Sequence, residues 1–339
     1  EQPTGSLGFG GTYSSTTGLG AEITFKERNF LGRGQALGLA VSTAPTNKKF
    51  EFNFLEPAFL GRDLSAGIEL SYITNTPDDV SFNSNVASFS PSVAFPLTEY
   101  SALNLSYNLA TSKVTSYRTS GLIFDELDEG EVLTSSVAYR YTYDNRRKGL
   151  NTNSGYLFQL GQEIGGFGGD KAFVKTGFKV NGQTKVMAEE VTLSATLAGG
   201  TMSFMKGSSR FNDRYSLGSS MMRGFDVNGI GPREIQPSFD DALGGTSYAV
   251  ARFEAQFPLG IPNEYGLTGG VFYDVGSLWG LETTNDFVKS EGFQLRQTIG
   301  FSLFWTTAIG PLRLNFMDVL QSETYDKTEN FELTIATSF

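Results

Sequence analysis

Apolar and polar residues alternate with a period of two along almost the whole chain. Leu7, Phe9 and Tyr13 alternate with Gly8, Gly10 and Thr12. Ala21, Ile23 and Phe25 are set against Glu22, Thr24 and Lys26, and Phe50, Phe52 and Phe54 against Glu51 and Asn53. The pattern recurs at Leu103, Leu105, Tyr107 and Leu109, at Val137, Tyr139, Tyr141 and Tyr143, and at Val191, Leu193, Ala195 and Leu197. It continues through Phe253, Ala255 and Phe257, then Leu295 to Trp305, then Leu312, Leu314 and Phe316. It ends on Phe331, Leu333, Ile335, Thr337 and Phe339, with Glu332 and Thr334 between them. Successive strand residues face opposite sides, so this period predicts strands, about sixteen of them. Connections alternate too. Turns such as Phe30 to Arg33 and Pro96 to Glu99 are short, whereas 76–85, 111–131, 202–245, 277–292 and 321–330 are long and polar.

A soluble sandwich or propeller with one wet face shares such alternation. Here, however, the apolar faces are aromatic on nearly every strand. The opposite faces carry Lys, Arg, Glu and Asn and do not suit a dry core. An apolar outside around a polar inside is the pattern of a transmembrane barrel, and an even strand number with short turns at one end and long loops at the other fits it. The expected fold is therefore an all-β, transmembrane, antiparallel β-barrel of about sixteen strands occupying 1–339. Both chain ends are expected on the short-turn side.

Composition narrows the chemistry. The 339 residues include 40 Gly, 29 Phe and 14 Tyr, and no Cys or His. A Ser-His-Asp triad, a Cys nucleophile and a His-ligated metal site are excluded, and the chain is expected not to be an enzyme and to use no metal or cofactor. A net charge of −10 argues against nucleic acid as a partner. No run of about 18 apolar residues offers a transmembrane helix, which leaves a closed barrel as the way to satisfy the backbone in lipid.

One segment breaks the alternation. About forty residues, 202–245, carry no period, and a structureless run of that length is usually functional or disordered. This one holds Phe211, Tyr215, Leu217, Met221, Met222, Phe225 and Ile230 to pack. It is read as a loop folded into the lumen with Arg223-Gly224-Phe225 at its tip. Strand parity puts Glu254 and Asp274 inside the lumen on adjacent strands. A guanidinium offers five donors in a rigid fork suited to two carboxylates, so Arg223 is expected to reach one or both.

Arg223-Gly224-Phe225 in a long loop resembles the loop-six signature of the outer-membrane protein assembly factor superfamily. Phe272-Tyr273-Asp274-Val275-Gly276-Ser277-Leu278-Trp279 is similar to that family's aromatic-Asp-x-Gly-x-x-Trp strand, and Ile309-Gly310-Pro311-Leu312-Arg313-Leu314 to its Gly-Pro-Leu signature. Asn29-Phe30-Leu31-Gly32-Arg33-Gly34 resembles its second-strand exit turn, and Glu254 matches its acidic lumen position. Members carry polypeptide-transport-associated (POTRA) domains ahead of the barrel. None is present in 1–339, so this chain is expected to be the barrel part of a longer protein.

The resemblance implies an integral protein of the Gram-negative outer membrane, with chain ends toward the periplasm. It implies that client β-barrel proteins are folded and inserted through a seam between the first and last strands, at Gly8, Phe9, Gly10 and Gly11 on one side and Phe331, Leu333, Ile335 and Phe339 on the other. Implied partners are those clients, accessory lipoproteins and outer-membrane lipids. Gly5, Gly8, Gly10 and Gly11 lack side chains to pack and weaken pairing, and a weak seam is a latent pair of edges that template a new strand; a tight barrel corner is the plainer use of the same glycines. The alternative function is a secretion pore of the same superfamily that passes an unfolded client through the lumen. Gly165 to Gly169 reads as a loop tip, since it lacks the ending of a phosphate loop. Asp125 to Glu129 reads as a solvated acidic loop.

Overall fold

In the computed structural model the described residues are 4–15, 18–76, 82–116, 121–126, 130–146, 154–307 and 310–338. Nineteen strands occur among them. The first eleven are β1 (Gly5–Ser14), β2 (Gly18–Phe30), β3 (Gln35–Ala44), β4 (Asn47–Glu56), β5 (Ser65–Asn75), β6 (Phe82–Thr98), β7 (Ser101–Ser116), β8 (Glu131–Asp144), β9 (Ser154–Gly165), β10 (Ala172–Val186) and β11 (Val191–Lys206). Then come β12 (Arg233–Gln236), β13 (Phe239–Ala242), β14 (Ser247–Pro258), β15 (Leu267–Trp279), β16 (Val288–Lys289), β17 (Arg296–Thr307), β18 (Gly310–Gln321) and β19 (Phe331–Ser338).

Sixteen of these close into one antiparallel barrel in sequence order; β12, β13 and β16 form a separate three-stranded sheet. With an even number of up-and-down strands, β1 and β19 run antiparallel, and β1 begins at the end where β19 finishes. The opposite end carries the long loops. The alternation of loop lengths has exceptions: at the long-loop end β1 and β2 are joined by only 15–17 and β3 and β4 by only Pro45 and Thr46, while at the other end 57–64, 145–153 and 259–266 are longer than tight turns.

Parity sets the faces. Leu7, Phe9, Ile23, Phe50, Leu70, Phe253, Val271 and Phe301 are exposed on the outer wall. Asn53, Glu69, Asn104, Arg140, Gln159, Glu163, Lys175 and Lys179 line a lumen cavity of about 940 Å³. An apolar outer band around a polar interior matches a wall solvated by lipid outside and water inside. No helix among the described residues is long and apolar enough to cross a membrane, which does not bear on strands.

The long unpatterned segment is shorter and more ordered than its sequence predicts. Met202 to Lys206 extend β11, so the connection to β14 is 207–246, and it contains β12 and β13. Their four paired positions, Arg233↔Ala242 to Gln236↔Phe239, are too few to leave a periodic signal.

Closure is weakest at the last strand. β19 shares five paired positions with β18 (Phe331 to Ile335) and five with β1 (Thr334 to Ser338). By contrast, β1 and β2 pair at ten, Gly5 to Ser14. Gly10 and Gly11 face Ser338 and Thr337, and Tyr13 faces Ile335. Among the described residues Gly8 and Phe9 have no paired position on β19, and Phe331 is paired with Phe316 of β18. Leu333 touches the first strand's end through Ser15, whose backbone N–H donates to the Leu333 carbonyl at 3.0 Å. Phe339 lies outside the described residues.

Candidate functional site

The connection 207–246 is folded back on itself. Tyr215 and Gly245 exchange two backbone hydrogen bonds of 2.8 and 2.9 Å, and Leu217 bridges to Ile230. A tight turn follows, in which Met221 and Met222 donate to the Gly218 carbonyl. Leu217, Met222, Phe225 and Ile230 are buried against Val250 of β14 and Leu278 of β15. Removing these side chains from water docks the segment on the inner wall, at roughly 1.5–3 kcal/mol for each fully buried large side chain.

That docking carries Arg223 to the wall at the neighbouring strands β14 and β15. Its Nε donates to Asp274 Oδ2 at 2.7 Å and its Nη2 to Asp274 Oδ1 at 2.6 Å, a fork-on-fork pair. Its backbone N–H also reaches Asp274 Oδ2, at 3.2 Å, and Nη1 donates to Glu254. The guanidinium lies over the Phe272 ring, 3.6 Å from its centroid. The Arg223 and Asp274 side chains are 2% and 0% exposed, so this is a desolvated charge pair and not a surface ion pair. Burial alone works against the Arg223 charge. The hydrogen bonds and charge of Asp274 and Glu254 outweigh it and hold its pKa above the ordinary value.

Two further arginines complete the cluster. Arg313 on β18 donates from Nη2 to Glu254 Oε2 at 2.6 Å, and Arg252 on β14 approaches Asp274 at 3.7 Å while donating to the Ser220 carbonyl. Three guanidiniums thus share two carboxylates. Arg252, Phe272 and Arg313 escaped the sequence reading as site residues. Each stood at lumen parity, which was the available signal.

Gly224 and Phe225 fasten the tip to a different element. Phe225 is fully buried and bridges to Thr328. Glu329 N–H donates to the Gly224 carbonyl at 2.9 Å, Asp226 N–H to the Lys327 carbonyl at 3.0 Å, and Lys327 N–H to the Gly229 carbonyl at 3.0 Å. The tip therefore pairs with the connection that leads directly into β19. Gly224 has φ +88°, and a Cβ there would lie 2.7 Å from Thr298 Cγ2. Gly224→Ala is expected to destabilise the docked loop by about 1–3 kcal/mol, from the left-handed backbone and the clash together. Thermal unfolding in lipid checks this, and an unchanged midpoint contradicts it.

At the long-loop end three connections are knitted together. β12 pairs with β16 at Arg233↔Lys289 and Glu234↔Val288. The helical turn Leu122–Asp125 is held where Leu122 N–H donates to Glu234 Oε2 at 2.7 Å. Glu126, expected from the sequence in a solvated acidic loop, has a side chain only 12% exposed and paired with Arg214 at 2.6 Å. It also accepts from Phe211 N–H at 2.9 Å. The packing of distant loops covers it, and no local spacing announces that. Residues 127–129 of the same stretch lie outside the described residues.

Burial pushes the Glu126 carboxyl above its ordinary 4.5, against the pull of Arg214. A carboxyl raised on docking makes docking most favourable below the ordinary value, and that advantage is lost as pH rises through the raised one. Protection of 122–126 from hydrogen exchange, corrected for intrinsic rate, is expected to fall as pH rises through the raised carboxyl value. Glu126→Gln is expected to flatten that dependence; a flat profile in the unsubstituted protein contradicts the assignment.

No group of three or more His, Cys, Asp or Glu side chains suited to a metal occurs among the described residues. Residues 29–339 match the Omp85 superfamily domain. The chain belongs to that superfamily. It is 27% identical to outer membrane protein assembly factor BamA of Neorickettsia risticii over the whole chain, which spans 46% of that relative. It is 25% identical to the BamA of Nitratidesulfovibrio vulgaris, with 93% of the chain matched and 39% of the relative covered. The chain thus spans about half, or less, of the curated relatives it matches. It is also 25% identical to the mouse sorting and assembly machinery component 50 homolog over 74% of its length, covering 53% of that relative. In fold it superposes on Haemophilus ducreyi BamA lacking POTRA domains 1–3 with a TM-score of 0.87 at 20% identity, covering all of this chain and 71% of that one. The CdiB of Acinetobacter baumannii gives 0.64 at 13% identity, covering all of this chain and 60% of that one. The family and the apolar wall place the chain as an integral barrel of the outer membrane.

Proposed function

We propose that this chain is the barrel of an outer-membrane insertase. It folds and inserts client β-barrel proteins through a seam between β1 and β19, with chain ends toward the periplasm. The observation that carries the reading is the seam's pairing. Among the described residues β19 has five paired positions on each side, and Gly5 to Phe9 of β1 have none toward β19. An unpaired strand edge templates another strand, and backbone pairing gives affinity without demanding one client sequence. Clients and lipids meet at such an edge without crossing the lumen. In this reading the whole protein carries POTRA domains and works with accessory lipoproteins. The Arg223 cluster, with Gly224 and Phe225, locks the loop in place behind the seam.

The second reading is a pore that passes an unfolded client through the lumen. It requires 207–246 to leave the lumen, which breaks the Arg223 cluster and the backbone ladder to Lys327 and Glu329 together.

Photo-crosslinking during assembly separates the two. A photoreactive residue at Ser6 or Phe9 of β1 is expected to capture a stalled client β-barrel, and one at Asn104 or Gln159 in the lumen is expected not to. Capture from the lumen alone contradicts the insertase reading.

A further inference from the structure

We infer that Arg313, Asn315 and Glu332 form a side-chain relay that couples the lumen loop to the last strand, so that the state of the Arg223 cluster sets how firmly β19 is held. The inference rests on the seam reading above and names the positioning residues that serve it.

The connections are continuous. Arg223 and Arg313 both donate to Glu254. Arg313 Nε donates to Asn315 Oδ1 at 2.8 Å, and Ser302 Oγ donates to the same oxygen at 2.7 Å. The Asn315 amide is thereby oriented, and its Nδ2 donates to Glu332 Oε2 at 2.9 Å. Asn315 and Glu332 are 2% and 8% exposed and stand opposite each other in the β18–β19 register. Glu332 is thus a charged side chain on β19, buried toward the lumen, and it is tied by this bond to the end of a charge-assisted chain. Such bonds are stronger than neutral ones, and networks in a poorly solvated site are worth more than their pairwise sum.

The location gives the relay its consequence. Among the described residues β19 has five paired positions on each flank, besides the Ser15–Leu333 contact, so one buried side-chain tether is a large share of what holds it. The same strand is led in by Lys327 to Glu329, which pair with the loop tip through backbone groups. The loop therefore grips the entry of β19 through backbone and its body through side chains. Loss of the Arg223 cluster frees Glu254 to reorient, which slackens Arg313 and then Asn315.

The test is hydrogen exchange of the β19 amides 331–335 in the whole protein in lipid, read with client assembly in parallel. Asn315→Asp keeps the acceptor for Arg313 but sets a carboxylate against Glu332; at about pH 8 it is expected to speed β19 exchange roughly tenfold. The double change N315D/E332Q restores a donor and an acceptor with their directions reversed, and is expected to restore protection. Should Asn315→Asp fail to fold, Glu332→Ala is expected to speed exchange and Glu332→Gln, which keeps an acceptor, to hold it near the original rate. Arg223→Lys is expected to speed β19 exchange as well, and adding Asn315→Asp to it to bring little more.

The inference is overturned if β19 exchange does not respond to Asn315→Asp or Glu332→Ala. It is overturned equally if the reversed pair protects no better than Asn315→Asp, or if the Arg223 and Asn315 effects simply add. If exchange follows the scheme while client assembly stays unchanged in every variant, the relay stands and the seam's role in assembly falls.

Discussion

Arg223→Ala is expected to release the tip of 207–246 from the inner wall. The change leaves Asp274 fully buried with only Arg252, at 3.7 Å, for a charge partner. Removing one member of a buried pair costs about 3–5 kcal/mol, because the remaining charge keeps its desolvation without compensation. The Phe272 ring also loses the guanidinium stacked on it. Arg223→Lys is expected to fall between, since a single ammonium cannot span both oxygens of Asp274 and still reach Glu254. The loop retains its buried Leu217, Met222, Phe225 and Ile230, so it is expected to loosen without unfolding the barrel. Limited proteolysis of 207–246, with thermal unfolding alongside, reads this directly. Resistance and a midpoint equal to those of the unsubstituted protein contradict it.

The strands were legible because lipid and water solvate opposite faces of each, which leaves alternations such as Phe50, Phe52 and Phe54 in plain view. Parity alone also put Arg252, Glu254, Asp274 and Arg313 on the lumen side. The missing information was which of them meet. Arg313 and Glu254 belong to strands separated by two others, and only barrel curvature brings them to 2.6 Å. The pairing of 224–229 with 327–329 joins connections about a hundred residues apart and follows no period. Glu126 looked solvated for the same reason. Register was hidden too: alternation fixes which face Phe331 occupies, but the stagger of the closed barrel decides that Phe316 stands opposite it on β18.

The stagger also sets where the seam can be fastened. Tyr13 and Ile335 are directly opposite in the β1–β19 register. Opposed antiparallel residues have Cα atoms about 4.5–5.5 Å apart, within disulfide reach. The chain has no cysteine of its own to compete. A bond there leaves the Arg223 cluster, the loop and the lumen untouched and removes only the freedom of β1 and β19 to part. Because strand addition at the seam requires that separation, the expected loss is of nearly all client assembly and not a fraction of it.

The most direct measurement is therefore client assembly by the whole protein carrying Tyr13→Cys and Ile335→Cys, before oxidation, after oxidation and after reduction. The account predicts assembly, arrest and recovery in that order, with each single cysteine unaffected. Undiminished assembly by the fully oxidised protein would contradict it and place the client's route away from the seam.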